Sequence, residues 1–156
     1  MGDAEELCEY YLWNKEFPVK PENRNGIRID AQNWVITIAF LSGERMRRAT
    51  SSVGIFAFLP TTMVTDFPFL IQADFILNSS RDCILLDNVW NLGILECIPS
   101  SFVNAFGSHS LCTSVGQAFE FLPAQASPIP QFNELRESII TRLQSLEILP
   151  CGIYIP

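Results

Sequence analysis

Residues Trp34 to Phe40 (WVITIAF) are apolar on both phases of a two-residue period. Trp34, Ile36, Ile38 and Phe40 fall on one side of an extended chain and Val35, Thr37 and Ala39 on the other. A strand built this way predicts a sheet in which both of its faces are at least half buried, so the fold must be organised around it. At 156 residues the chain is long enough for one ordinary domain, which buries about 70% of its unfolded surface. Hydrophobic content of 48% against 17% charged residues excludes a disordered chain, and 10 prolines with 8 glycines suit strands and turns better than a helical bundle.

Other segments supply neighbours for that strand. Cys8 to Trp13 alternates aromatic and polar residues, and Pro18 and Pro21 follow, which predicts a short edge strand leading into an open loop through Asn25 and Gly26. Ser42-Gly43 makes a turn and Glu44 to Ser52 is polar and basic. Gly54 to Leu59 then reads as a strand ending at Pro60, and the expected arrangement is a hairpin with Trp34 to Phe40. Phe69 to Leu77 is a third apolar run, in which Gln72 and Asp74 share a side and require partners if buried.

Beyond Arg81 the period lengthens. Trp90, Ile94, Ile98, Phe102 and Phe106 recur every four residues, with Asp87 or Asn88 available as a cap, which predicts a helix on the sheet. Pro99 lacks a backbone N–H and crowds the Leu95 carbonyl, so a kink or a restart into two helices is expected there. Ser114 to Leu122 reads as a weak helix and Ile148 to Tyr154 as a short strand. Phe132, Leu135, Ile139, Leu143 and Leu146 share one helical face, with Glu134 and Glu137 early and Arg142 late, as the helix dipole favours. The expected whole is α+β, a mixed or antiparallel sheet covered by helices. It forms a single domain or fragment over 1–156, with a sheet-rich part at 8–82, a helical part at 88–122, a linker at 123–131 and a C-terminal helix at 132–147.

Composition narrows the function. A net charge of −7 argues against nucleic-acid binding, which needs clustered Lys and Arg. No apolar run approaches the roughly 18 residues of a membrane span, and the acidic start carries neither a secretory h-region nor, with Glu6 at its sixth position, a myristoylation signal. Five widely spaced cysteines are expected as reduced thiols in the nucleus or cytoplasm. His109, the single histidine, reads as a solvated loop residue. With Cys112 it could start a metal site, but a structural zinc needs four ligands and no second pair is close. The glycines are too scattered for a phosphate loop or a dinucleotide fingerprint. Arg47-Arg48-Ala49-Thr50 makes Thr50 a possible phosphorylation site, and Asn78-Ser79-Ser80 is a glycosylation sequon only in a secreted chain. The junction Leu77-Asn78-Ser79-Ser80-Arg81-Asp82 sets an arginine after a strand and before a helix. That arginine either pairs with Asp82 or Asp87 at the surface or reaches an anion.

Phe58-Leu59-Pro60, Phe67-Pro68-Phe69 to Ala73-Asp74-Phe75, Leu77 to Asp82 and Trp90-Asn91 together resemble the plant NO VEIN-like proteins, a likeness that thins out after about Phe121. More distantly the junction resembles sacsin repeats and the middle domain of the ninety-kilodalton heat-shock chaperones, all GHKL ATPases. In the chaperones an L-N-x-S-R-E motif carries an arginine to the terminal phosphate of ATP. The resemblance implies phosphate contact by Arg81, with Asn78 and Ser80 matching and Asp82 replacing Glu. A guanidinium there would stabilise developing phosphoryl charge. The D-x-G-x-G turn of the ATP-holding fold has no counterpart, since no aspartate is followed two residues later by glycine. The implied protein is therefore not an enzyme by itself. It binds no cofactor alone, takes ATP and magnesium only when a separate domain completes the site, and works through a protein partner, a GHKL relative or itself. Two other functions remain open. One is a phosphohydrolase using Arg81 with magnesium on Asp74, Asp82 and Asp87; the other is an interaction module exposing Trp13, Phe17 and the Phe67 to Phe69 region.

Overall fold

A computed structural model of the chain describes residues 10–24, 26–41, 54–112 and 119–146. Five strands form one mixed, open sheet in the order β1-β2-β5-β3-β4, where β1 is Tyr10–Pro18, β2 Asn33–Leu41, β3 Ile55–Ala57, β4 Leu59–Pro60 and β5 Phe69–Gln72. Among the described residues are two α-helices, α1 (Val89–Cys112), which lies on the sheet, and α2 (Pro130–Ser145), which packs on α1. The expected α+β class with a mixed sheet is what forms.

The covered face of the sheet is a continuous apolar row. Trp13, Ile38, Ile71 and Ile55 lie side by side across four strands, and Phe40 lies beside Phe69. Trp34, Ile36, Ile38 and Phe40 are fully buried there, as their shared phase predicts. The other phase departs from expectation: Ala39 is buried and Thr37 half-buried, but Val35 is exposed. Among the described residues α1 lies on the face of Trp34, Ile36, Ile38 and Phe40, and Val35 lies next to edge strand β1, opposite the exposed Glu16.

The expected hairpin does not form. β2 pairs antiparallel with β5, and β3 runs parallel to β5, so β5 lies between the two strands that sequence proximity would join. The apolar content of β5 explains the choice, because Phe69 and Ile71 are buried in the centre of the sheet while β3 is only three residues long. The β1 strand is longer than Cys8 to Trp13 suggests and runs through Phe17, whose ring packs on the core and carries the Lys15 ammonium 5.4 Å above it. Residues 20–32 hold two short 3₁₀ turns at Pro21–Asn23 and Gly26–Arg28.

Helix α1 starts where Asn88 Oδ1 accepts the Trp90 N–H at 2.9 Å, the cap that satisfies an otherwise orphaned donor. Trp90, Ile94, Ile98, Phe102 and Phe106 are all buried on the sheet. Helix α1 is one element through Pro99, which corrects the expected restart. Four-residue spacing puts large apolar anchors on both sides of the proline, and their burial outweighs one missing backbone bond. Gly93 admits the sheet at closest range, since a Cβ there would overlap the buried Trp34 ring and lie 2.8 Å from Asn23 Cγ. His109 belongs to α1 instead of a loop.

Helix α2 packs on α1 through Phe132, Leu135, Ile139 and Leu143. Leu146 is exposed, one residue beyond the helix end, and so leaves the face its spacing assigned to it. Before α2, Ser127 and Asn133 exchange hydrogen bonds of 2.7 and 2.8 Å, and Arg136 donates to the Pro123 and Ala124 carbonyls. Phe119–Phe121 forms a 3₁₀ turn at the end of the stretch read as a weak helix. Cys8, the Ser42-Gly43 turn, Thr50 and the Ile148 to Tyr154 strand lie outside the described residues.

Candidate functional site

After β5 the chain folds back on itself as a small lobe. Leu85 N–H donates to the Ile76 carbonyl, Leu77 bridges Ile84, and Asn78 N–H donates to the Cys83 carbonyl at 2.9 Å. The tip of the lobe is Asn78 to Asp82, where Asn78, Ser80 and Asp82 hold one another. Asn78 Oδ1 accepts the N–H groups of Asp82 and Cys83, while Asn78 Nδ2 and Ser80 Oγ donate to Asp82 Oδ1 at 2.7 and 2.9 Å. These two donors, Asn78 first and Ser80 second, hold the Asp82 carboxyl below the usual aspartate range.

Arg81 is the exception at this tip. Its backbone is left-handed at φ +61°, and its N–H donates to the Asn78 carbonyl. Its side chain is exposed and makes no hydrogen bond or ion pair with any described residue. The surface pairing with Asp82 or Asp87 is therefore not what the structure contains. The sequence-identified trio comes together with a division of labour: Asn78 and Ser80 turn inward to Asp82, and Arg81 alone points its charge to solvent.

Two anchors fix the lobe to the body. Asn91, fully buried on α1, accepts the Ile76 N–H through Oδ1 and donates through Nδ2 to the Ile76 and Leu85 carbonyls, each at 2.8 Å. Thr62 clamps the flank, with its N–H and hydroxyl both donating to the Asp82 carbonyl at 2.8 and 3.1 Å. Neither role was identified in the sequence. An asparagine one position from the four-residue apolar phase, among residues that are otherwise apolar, is the signal that could have marked Asn91.

Gln72 and Asp74 find the partners their positions require. Gln72 Oε1 accepts the Phe58 N–H at 2.9 Å. Asp74 takes a two-pronged contact from Arg28, with both N···O distances 2.7 Å, and its carbonyl accepts the Trp90 indole N–H. Arg28 also lies 5.6 Å from the Trp90 ring centre, and the Asp74 carboxylate raises its pKa further above the ordinary arginine value. Asp74 is thus committed to Arg28 and Asp82 to the lobe tip. Among the described residues no three His, Cys, Asp or Glu side chains converge as metal ligands would. The Phe67 to Phe69 region is buried, and Trp13 and Phe17 are half-buried against the core, so the patch expected of a lost interface is closed.

The lobe belongs to the stretch whose residues carry the family likeness, and comparison with known proteins bears directly on it. Protein NO VEIN of Arabidopsis thaliana is 32% identical over 135 residues, a match covering 79% of this chain. Over that span this chain is similar to part of NO VEIN. It spans only 5% of the length of NO VEIN, so what NO VEIN does as a whole does not transfer with the match. No protein-family description matches the chain. No solved structure matches it. No described helix is long and apolar enough to cross a membrane.

The geometry of the lobe makes a pH prediction. Because the Asp82 carboxyl is held low by Asn78 and Ser80, the ordering it gives the tip is complete above the unfolded aspartate pKa of about 3.9 and is lost as pH falls through the lower folded value. Replacing Asn78 with Ala should raise the Asp82 pKa toward the ordinary value in a carbon-detected titration. An unchanged pKa would mean the Asn78 contact does not form in solution.

Proposed function

We propose that this chain is a protein-interaction module that offers Arg81 to an anion held by another protein, and is not an enzyme by itself. One observation carries the reading: Arg81 is exposed and unpaired among the described residues, at the tip of a turn whose Asn78, Ser80 and Asp82 side chains are spent on holding its shape. A guanidinium presented this way matches carboxylate and phosphate geometry, and because its backbone is already fixed only the side chain has to be ordered on contact. The resemblance to chaperone-type ATPases of the sacsin and heat-shock kind makes the terminal phosphate of ATP the anion to test first, with magnesium and the rest of the nucleotide held by a separate ATP-binding fold. Such a module would act in the nucleus or cytoplasm, with a GHKL relative or a second copy as its partner.

Calorimetry separates this from a self-sufficient nucleotide site. Mg-ATP titrated into the purified chain should give no binding heat, and neither should a titration into Arg81→Ala. Saturable heat that disappears in Arg81→Ala would replace the accessory reading with a nucleotide-binding protein in its own right. Arg81→Ala should leave stability within about 0.5 kcal/mol of the parent, as expected of an exposed side chain.

A further inference from the structure

The two margins of the sheet are built differently. Strand β4, at one end, is two residues long, finishes at Pro60 and follows a bend at Phe58, whose φ is +65°. Short length, proline and a kink are devices that keep a sheet edge from taking another strand. Strand β1, at the other end, runs nine residues from Tyr10 to Pro18 with β2 along one margin, and its single proline is its last residue. Lys15, the side chain best suited to guard such an edge, is half-buried and lies over the Phe17 ring. A strand of this length offers a template about 30 Å long for main-chain pairing.

We propose that a second copy of this chain pairs antiparallel with β1, two-fold about Asn14, and joins the two five-stranded sheets into one. The residue order of β1 selects this occupant and this register. Only residues whose N–H and C=O point outward can bond across the seam, and these alternate, so identical strands meet with the axis through a residue. With the axis at Asn14 every residue of β1 finds a counterpart: Tyr10 meets Pro18, Tyr11 meets Phe17, Leu12 meets Glu16 and Trp13 meets Lys15. Aromatic rings then face each other, and the Lys15 ammonium, already over Phe17, gains Trp13 of the second copy as another ring. Moving the axis to Lys15 or Glu16 would set two ammonium groups or two carboxylates directly opposite each other, and moving it toward Tyr10 shortens the seam. The one lysine and the one glutamate of β1 thus fix the register.

At the axis Asn14 meets itself. Its Oδ1 accepts the Thr37 hydroxyl at 2.6 Å and its Nδ2 has no partner among the described residues, so each Nδ2 is available to the Oδ1 of the other copy. The strand itself is neutral, with Lys15 balancing Glu16, whereas the whole chain carries −7. The bodies therefore repel at low salt, and the contact tightens as salt screens them. This contact stands apart from the reading of Arg81, which lies on neither strand of the seam.

Sedimentation equilibrium of the full chain at rising concentration, in salt high enough to screen the bodies, should show reversible association of monomer to dimer. Asn14→Asp keeps an acceptor for Thr37 and sets two carboxylates across the axis, so it should weaken the dimer about ten-fold or more at an unchanged melting temperature. Asn14→Lys alone should weaken it likewise, and an equimolar mixture of the two variants should recover association, because opposite charges then meet. Val35→Ser, one strand in from the seam, and Arg81→Ala should associate like the parent. A chain that stays monomeric at every concentration, or a dimer that Asn14→Asp leaves intact, would overturn the proposal. So would failure of the mixture to recover association, or a dimer abolished by Val35→Ser, which would place the contact on the face of the sheet instead of its edge.

Discussion

Phe102→Ala is expected to destabilise the protein by about 3–5 kcal/mol, the range for deleting a buried aromatic ring. Phe102 is fully buried on α1, with ring centres of Phe69, Phe106 and Phe40 at 4.6, 5.8 and 5.9 Å. It joins the helix to β2 and β5 at once, so neighbouring rings cannot all move in to fill the void. A domain of this size holds about 5–15 kcal/mol in total, so the variant should stand near the edge of folding. Urea denaturation would show the midpoint falling with little change in slope. A loss under about 1 kcal/mol would mean that α1 does not pack on the sheet through this residue.

Asn91→Ala should cost about 1–3 kcal/mol, and its effect should be concentrated in the Arg81 lobe. Removing the amide strands the Ile76 N–H, and a buried group so stranded costs about 1–3 kcal/mol. The Ile76 and Leu85 carbonyls keep the Leu85 and Asn88 N–H groups and suffer less. Hydrogen exchange at the Ile76 amide should speed markedly, and chemical shifts from Asn78 to Cys83 should move toward averaged values. If exchange at Ile76 is unchanged, the clip from α1 is not what holds the lobe. Asn91→Asp would keep an acceptor for the Ile76 N–H but set a buried carboxylate oxygen against the Ile76 and Leu85 carbonyls, so it should be no milder than Ala.

Both residues show what a single sequence reveals and what it hides. Phe102 is legible because burial against a sheet imposes a four-residue period on α1, and that period runs unbroken from Trp90 to Phe106. Local spacing contains the answer. The β2–β3 hairpin was misread for the opposite reason: nothing local in Gly54 to Leu59 tells the strand that Phe69–Gln72 will take the place beside β2. The restart that Pro99 allowed did not form, because packing contributed by five large side chains outweighs one missing backbone bond. At the site, the motif around Arg81 was visible as residue types, and the inward roles of Asn78 and Ser80 were not. Two side chains that could equally hydrogen-bond an incoming anion or a neighbouring carboxylate have the same letters. Only the turn of the backbone at Arg81 decides between them.

The central position of β5 has a consequence for how the chain reaches its final form. β1 and β2 can meet as soon as residue 41 has been made, but the other margin of β2 stays open until residues 69–72 arrive. β3, synthesised earlier than β5, has no seat until β5 is in place, since β5 is the rail it lies along. Assembly therefore proceeds out of chain order, with a late strand threading between two early ones. Pairings so distant along the chain form slowly. During that interval the apolar margin of β2 is the part of the nascent protein most open to a wrong partner.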